Sequence, residues 1–266
     1  MAANSPFLLP MCRWLGSGLV GVCLAAAPLG AEETPDKDKA PKPPELKLSV
    51  PLAIPHDYQG MLILRGQRLQ SCKEVKSAQG GVTVKLVKAE ASKPPQDVEA
   101  SVAGDSFVEL ELQLSAPLDA GEIPLTVVTD QGEATYQTQV IPREKYLEQR
   151  EPAGGFKDAQ DLPLDQVVVG KIDAPRDVDV FRLQLMSGKK YVLELSAARR
   201  GSPLDAHLTL FDDRGRILVV NDDAPGTRDP RLEYTVATDG VYYLSVIDAN
   251  DLGSNIHDYV LSLRAE

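Results

Sequence analysis

Seven oxygen-bearing side chains in the second half of the chain have the type and spacing to hold a hard cation. Asp177 and Asp179 sit two residues apart, and Asp205, Asn221, Asp222, Asp223 and Asp229 fall between residues 205 and 229. Calcium takes roughly six to eight oxygen ligands, which loops dense in Asp, Asn and backbone carbonyls supply. Five such groups in one loop region repel one another unless a cation neutralises them. The same residues form turns well, because short polar side chains bond their own backbone. Asp177 and Asp179 could equally face solvent ahead of an edge strand. The two ends of the choice are thus one or two calcium sites, or ordinary acidic turns.

Catalytic chemistry lacks its residues. His56, His207 and His257 form no H-E-x-x-H or other close metal spacing. Cys72 has no recognisable histidine partner. Carboxylates carried on turns do not define the two walls of a glycosidase cleft. The sequence reads as non-catalytic.

The elements that must position these groups are short strands. In Phe107 to Leu114, Val108, Leu110, Leu112 and Leu114 share one face, and Phe107, Glu109, Glu111 and Gln113 share the other. Similar runs occur at 46–50, 61–64, 82–87, 123–128 and 134–140. Period-two alternation broken by frequent turn signals predicts an antiparallel sandwich over 46–141. Residues 142–152, PREKYLEQREP, are charged and bounded by prolines, and read as a linker whose middle forms a short helix. From 153 to 266 the pattern resumes. Val180 and Arg182 lie opposite Phe181, Leu183 and Leu185, Asp212-Asp213-Arg214-Gly215 marks a tight turn, and further strands cover 167–170, 191–195, 208–211, 217–220, 241–247 and 259–263. Short strands with polar turns predict a jelly-roll-like sandwich. The fold class is all-β, with two β-sandwich domains. Tyr191, Tyr234, Tyr242, Tyr243 and Tyr259 offer material for an aromatic binding face, but adjacent Tyr242 and Tyr243 must point to opposite sides of their strand.

Residues 1–31 carry one charge, Arg13, and an apolar run from Trp14 to Ala27 ahead of Leu29-Gly30-Ala31. This layout predicts a secretory signal peptide and a secreted, periplasmic or cell-surface location. Residues 32–45, with charge and proline and no large apolar side chain until Leu46, read as a disordered linker. Cys12 and Cys23 would leave with the leader, so Cys72 would have no intrachain disulfide partner and is expected to be buried. A formal charge of −11 opposes binding to nucleic acid and to anionic lipid surfaces. No second long apolar segment exists, so no membrane insertion is expected, and the chain is read as a monomer.

Two resemblances add to this reading. Gly60 to Leu69 and Ala120 to Gly132 are similar to the opening strand and closing hairpin of the IPT/TIG type of Ig-like domain, which implies an Ig-like spacer or docking domain. Asp177-Val178-Asp179-Val180-Phe181, Gly201 to Leu210, Asn221-Asp222-Asp223, Asp229 to Tyr234 and Gly240 to Leu244 resemble, in order and spacing, the bacterial pre-peptidase C-terminal domain, a module related in fold to clostridial collagen-binding domains. That resemblance implies structural calcium in some members. Many members follow the lead-in Glu-Pro with Asn and Asp, whereas this chain has Glu151-Pro152-Ala153-Gly154. The expected function is a secreted, non-catalytic accessory protein contacting an extracellular polymer or protein, with structural calcium as the resemblance implies. The alternatives are a structural envelope component without a discrete ligand, and a hydrolase whose site is not recognisable.

Overall fold

A computed structural model describes residues 42–115, 118 and 121–266. The leader at 1–31 and most of the 32–45 linker lie outside the described residues. Among the described residues, no helix is long and apolar enough to cross a membrane.

The first half is a sandwich of two four-stranded sheets. One sheet has the order β1 (Glu45–Val50), β3 (Gln59–Gln67), β6 (Ser106–Leu114), β5 (Val82–Ala91). The other has the order β2 (Ala53–Pro55), β8 (Gly132–Ile141), β7 (Gly121–Thr129), β4 (Cys72–Lys76). The alternation in β6 works as the sequence predicts. Val108, Leu110, Leu112 and Leu114 are buried among Leu62, Leu64, Ile123, Leu125 and Val127, and Glu111 and Gln113 are exposed. Cys72 is half-buried against this core, and burial raises its thiol pKa. A single helical turn, α1 (Ala100–Ala103), interrupts the strands.

The second half is a five-on-five sandwich. The order β10 (Gln160–Asp161), β12 (Asp179–Leu185), β17 (Gly240–Asp248), β14 (Ala206–Phe211), β15 (Ile217–Asn221) faces the order β16 (Arg231–Thr235), β13 (Lys190–Ser196), β18 (Asp258–Ala265), β11 (Val167–Lys171), β9 (Tyr146–Glu148). Phe181, Leu183 and Leu185 from the first sheet meet Tyr191, Leu193, Leu195, Tyr259, Leu261 and Leu263 from the second. The turn at Asp212 to Gly215 forms as expected: Asp212 Oδ1 accepts the N–H groups of Arg214 and Arg216, and Gly215 sits at φ +77°.

The segment expected to hold a short helix does something else. Tyr146 to Glu148 forms β9 and pairs in parallel with Val167 to Val169 at the edge of the second sandwich. Sheet pairing wins there because β11 offers an open edge, and three residues are too few for a helix to gain from cooperativity. Strands β2, β4, β10 and β16 also go beyond the sequence reading. Each is short or paired by one partner, and so leaves little alternation to detect.

The two sandwiches share a third apolar cluster. Leu48, Leu52, Ala53, Ala103 and Ile141 of the first half pack against Val169, Ile256 and Val260 of the second. In β18 the alternation therefore serves two cores: Tyr259, Leu261 and Leu263 point into the second sandwich, and Val260 points to the first. Gly201, at φ +85°, allows the closest approach. A Cβ there would lie 2.0 Å from the Lys47 carbonyl oxygen.

Candidate metal centre

Asp179 begins β12 with the same side-chain parity as Phe181, Leu183 and Leu185, so it points inward. It is fully buried. That burial rules out the solvent-facing alternative for Asp179. Asp177 is half-buried two residues earlier. Glu151 reaches the same point from the segment that leads into the second sandwich. One carboxylate oxygen from each of Glu151, Asp177 and Asp179 lies within 4.8 Å of the other two.

Backbone ties hold the lead-in segment in place. The Val180 N–H donates to the Ala153 carbonyl at 2.8 Å, and the Ala153 N–H donates to Glu151 Oε2 at 3.0 Å. Ala153 is fully buried, so a small apolar side chain suits a position where the family resemblance leads one to expect an oxygen donor. Asp177 accepts the N–H of Val178 at 2.8 Å and of Asp173 at 3.0 Å. On the far side, the Tyr259 hydroxyl donates to Asp179 Oδ2 at 2.5 Å. Gly170 makes room for that ring, since a Cβ there would fall 2.4 Å from Tyr259 Cζ.

The electrostatics are those of an anion cluster without a counter-charge. Among the described residues, no Lys, Arg or His nitrogen forms an ion pair with Glu151, Asp177 or Asp179. The Gln149 amide nitrogen bridges Glu151 Oε1 at 2.5 Å and Asp179 Oδ1 at 2.8 Å, a neutral donor where a cation would neutralise. Burial, with the charges of Asp177 and Glu151, raises Asp179 to about 8, against a hydrogen bond from Tyr259 that pulls it down. Burial and Glu151 also raise Asp177. This all-oxygen, carboxylate-rich donor set fits a hard cation such as calcium, with Glu151, Asp177 and Asp179 as the residues to hold it and water for the remaining positions.

The 205–229 set is distributed rather than gathered. Among the described residues, no three of its carboxylates come within metal-binding reach of one another. Asp229 is buried and spends its carboxylate on backbone: Oδ1 accepts the N–H of Ala197 at 3.0 Å and of Ala198 at 2.7 Å, and Oδ2 accepts that of Arg199 at 3.1 Å. It thereby caps the 3-10 turn Ala198–Arg200. Asn221 clasps its own loop, donating to the Asp223 carbonyl and accepting the Arg231 N–H. Asp205 accepts from Asn250 Nδ2 at 3.1 Å. Asp222 and Asp223 are exposed at the turn. In Asp205, Asn221 and Asp229, turn and cap bonds take the side-chain oxygens one by one. Glu151, which the sequence shows only as the start of the Glu-Pro lead-in, and Tyr259, which it offers only as an aromatic, complete the cluster, as carboxylate and as hydroxyl donor.

The aromatic residues do not form an open strip. Tyr191, Tyr242 and Tyr259 are buried. Tyr243 lies on the outer face, opposite to Tyr242 as its position requires, and Phe156 stacks on it at 4.2 Å between ring centroids.

The model of the bacterial pre-peptidase C-terminal domain family matches residues 177–248. A probable subtilase-type serine protease of Deinococcus radiodurans is 37% identical over 79 residues, which is 29% of this chain and 11% of that protein. The chain thus spans about a tenth of the length of the curated relative it matches. A solved pre-peptidase C-terminal domain of a Bacillus anthracis collagenase aligns at 18% identity and TM-score 0.34, covering 43% of this chain and 98% of that one. A periplasmic inhibitor of g-type lysozyme from Aeromonas hydrophila aligns at 13% identity and TM-score 0.30, covering 41% and 97%. Residues 177–248, within the second of the two β-sandwiches, are thus the part of the chain that matches the bacterial pre-peptidase C-terminal domain.

Proposed function

We propose that this chain is an exported, non-catalytic accessory protein whose second sandwich contacts an extracellular polymer or protein, with calcium bound by Glu151, Asp177 and Asp179. The observation that carries the reading is the uncompensated carboxylate cluster at the junction of the lead-in segment and β12, inside a domain of this family. Calcium there ties the lead-in segment to the sandwich and so stabilises it. The match to the pre-peptidase C-terminal family and the likeness to a probable subtilase-type serine protease support export. The first sandwich acts as an Ig-like spacer. Its sheet order, β1-β3-β6-β5 against β2-β8-β7-β4, supports that assignment, because Ig-type sandwiches pair their first, second, fifth and fourth strands in one sheet once the short β2 is counted as a branch of β1.

Pull-down of the purified chain by insoluble collagen, chitin and cell-wall glycan, with calcium and with a chelator, tests the binding role. Retention by one of them is the expected result. Retention by none transfers the reading to a structural envelope component.

A further inference from the structure

A cleft of about 400 Å³ opens between the two sandwiches, within the range of roughly 300–1,000 Å³ typical of small-molecule sites. The most buried charged side chain in its lining is Asp258, the first residue of β18. This side chain is only 4% exposed, and its Oδ2 is buried with no hydrogen-bond partner. Asp258 shares its parity with Val260, so it faces the first sandwich. Its cross-strand neighbour in β11 is Lys171, yet the two do not close into an ion pair. A buried carboxylate oxygen without a partner is costly, and Asp258 is one of the residues that line the cleft.

The remaining walls define what that ligand is. Tyr58 of the first sandwich and Tyr146 of β9 are both half-buried at the cleft. Arg143 lies 5.7 Å from the Tyr146 ring centroid, and Glu148 completes the rim. Two acids and two bases cancel, so the cleft selects no net charge. Aromatic rings beside proline give an apolar surface, and the flanking groups supply both donors and acceptors. A sugar ring carries the matching features: a face of C–H groups for the rings and hydroxyls that donate to Asp258 and accept from Lys171 and Arg143.

We propose that the cleft between the sandwiches binds a neutral saccharide, with the buried Asp258 carboxylate accepting from ring hydroxyls and the Tyr58 and Tyr146 side chains packing beside the ring. The proposal is independent of calcium and of any contact made by the outer face of the second sandwich. It also accounts for β9: by pairing with β11, the joining segment becomes a rigid wall of the cleft instead of a hinge.

The test is isothermal titration of the full chain with a panel of neutral disaccharides (cellobiose, chitobiose, maltose and xylobiose), with N-acetyl-lysine amide as the amine probe. The expected result is saturable binding of at least one disaccharide, weakened tenfold or more by Asp258→Asn and by Tyr146→Ala. Val87→Ser, on the exposed side of β5, should leave the binding unchanged. Circular dichroism of each variant checks its fold, and Tyr146→Leu, which keeps the apolar bulk, stands in for Tyr146→Ala should that variant unfold. No binding by any disaccharide at 10-millimolar-scale (about 10 mM) concentrations overturns the proposal, as does binding of the amine probe alone. Disaccharide binding that survives both substitutions overturns this site while leaving the accessory reading intact.

Discussion

The Tyr259 hydroxyl in β18 donates a 2.5 Å hydrogen bond to Asp179 Oδ2 in β12, joining the two sheets of the second sandwich at the end where Glu151 and Asp177 also converge. The bond orients Asp179 from the dry side and leaves Oδ1 turned toward Gln149 and the other carboxylates. Replacing Tyr259 by Phe removes this donor and little else. A buried acceptor that loses its partner costs about 1–3 kcal/mol, so urea denaturation of Tyr259→Phe should report a loss of that size. Calcium affinity should fall as well, because Asp179 is no longer held in one orientation.

Stability should depend on pH in a definite direction. In the cation-free protein burial raises Asp179 to about 8 from 3.8, and Asp258 to about 7 from 3.8. Between these values the folded protein keeps protons that the unfolded chain has released. The folded state therefore binds more protons, and stability falls as pH rises through the window. His257, held below its ordinary 6.5 by burial, acts the other way, but only on the acid side of 6.5. Melting temperature in chelator should accordingly fall between about pH 6.5 and 8. Calcium should flatten the Asp179 share of that slope, since it holds the carboxylate ionised, and leave the Asp258 share. A melting temperature that rises with pH across this interval would contradict the assignment.

The acidic residues of the 205–229 set should separate by role. Asp229→Ala strips a cap from three backbone N–H groups at Ala197, Ala198 and Arg199 and should cost about 1–3 kcal/mol. Asp222→Ala and Asp223→Ala, at exposed positions, should stay within about 0.5 kcal/mol of the parent. None of the three should alter the response to calcium. Thermal melts with and without the ion check both statements.

The alternation of β6 and β12 was legible because one face of each strand is fully apolar, and period two then fixes the fold class. Parity also contained the key to Asp179, which falls in step with Phe181 and so had to point inward. The convergence of Glu151 on Asp177 and Asp179 was less legible, because it depends on how a segment without alternation crosses a strand end, and backbone bonds such as Val180 N–H to the Ala153 carbonyl decide that. The 205–229 group shows the converse. Density of Asp in sequence carries no information on whether the oxygens meet or are consumed singly by turns and caps, as Asp229 and Asn221 are. β9 escaped detection for a related reason: three residues become a strand only because β11 presents an edge to them.

Thermal melting of the full chain at pH 7.5, in chelator and in about 10 mM calcium, reads out directly whether Glu151, Asp177 and Asp179 hold the ion. An extracellular-type site with a dissociation constant of about 0.1–1 mM gives roughly 1.5–3 kcal/mol at that concentration, or a rise of about 5 °C. That rise should appear in the parent chain, be lost in Glu151→Gln and Asp177→Asn, and persist in Asp222→Ala. An unchanged melting temperature in the parent, or a rise of equal size in Glu151→Gln and Asp177→Asn, would contradict calcium binding there.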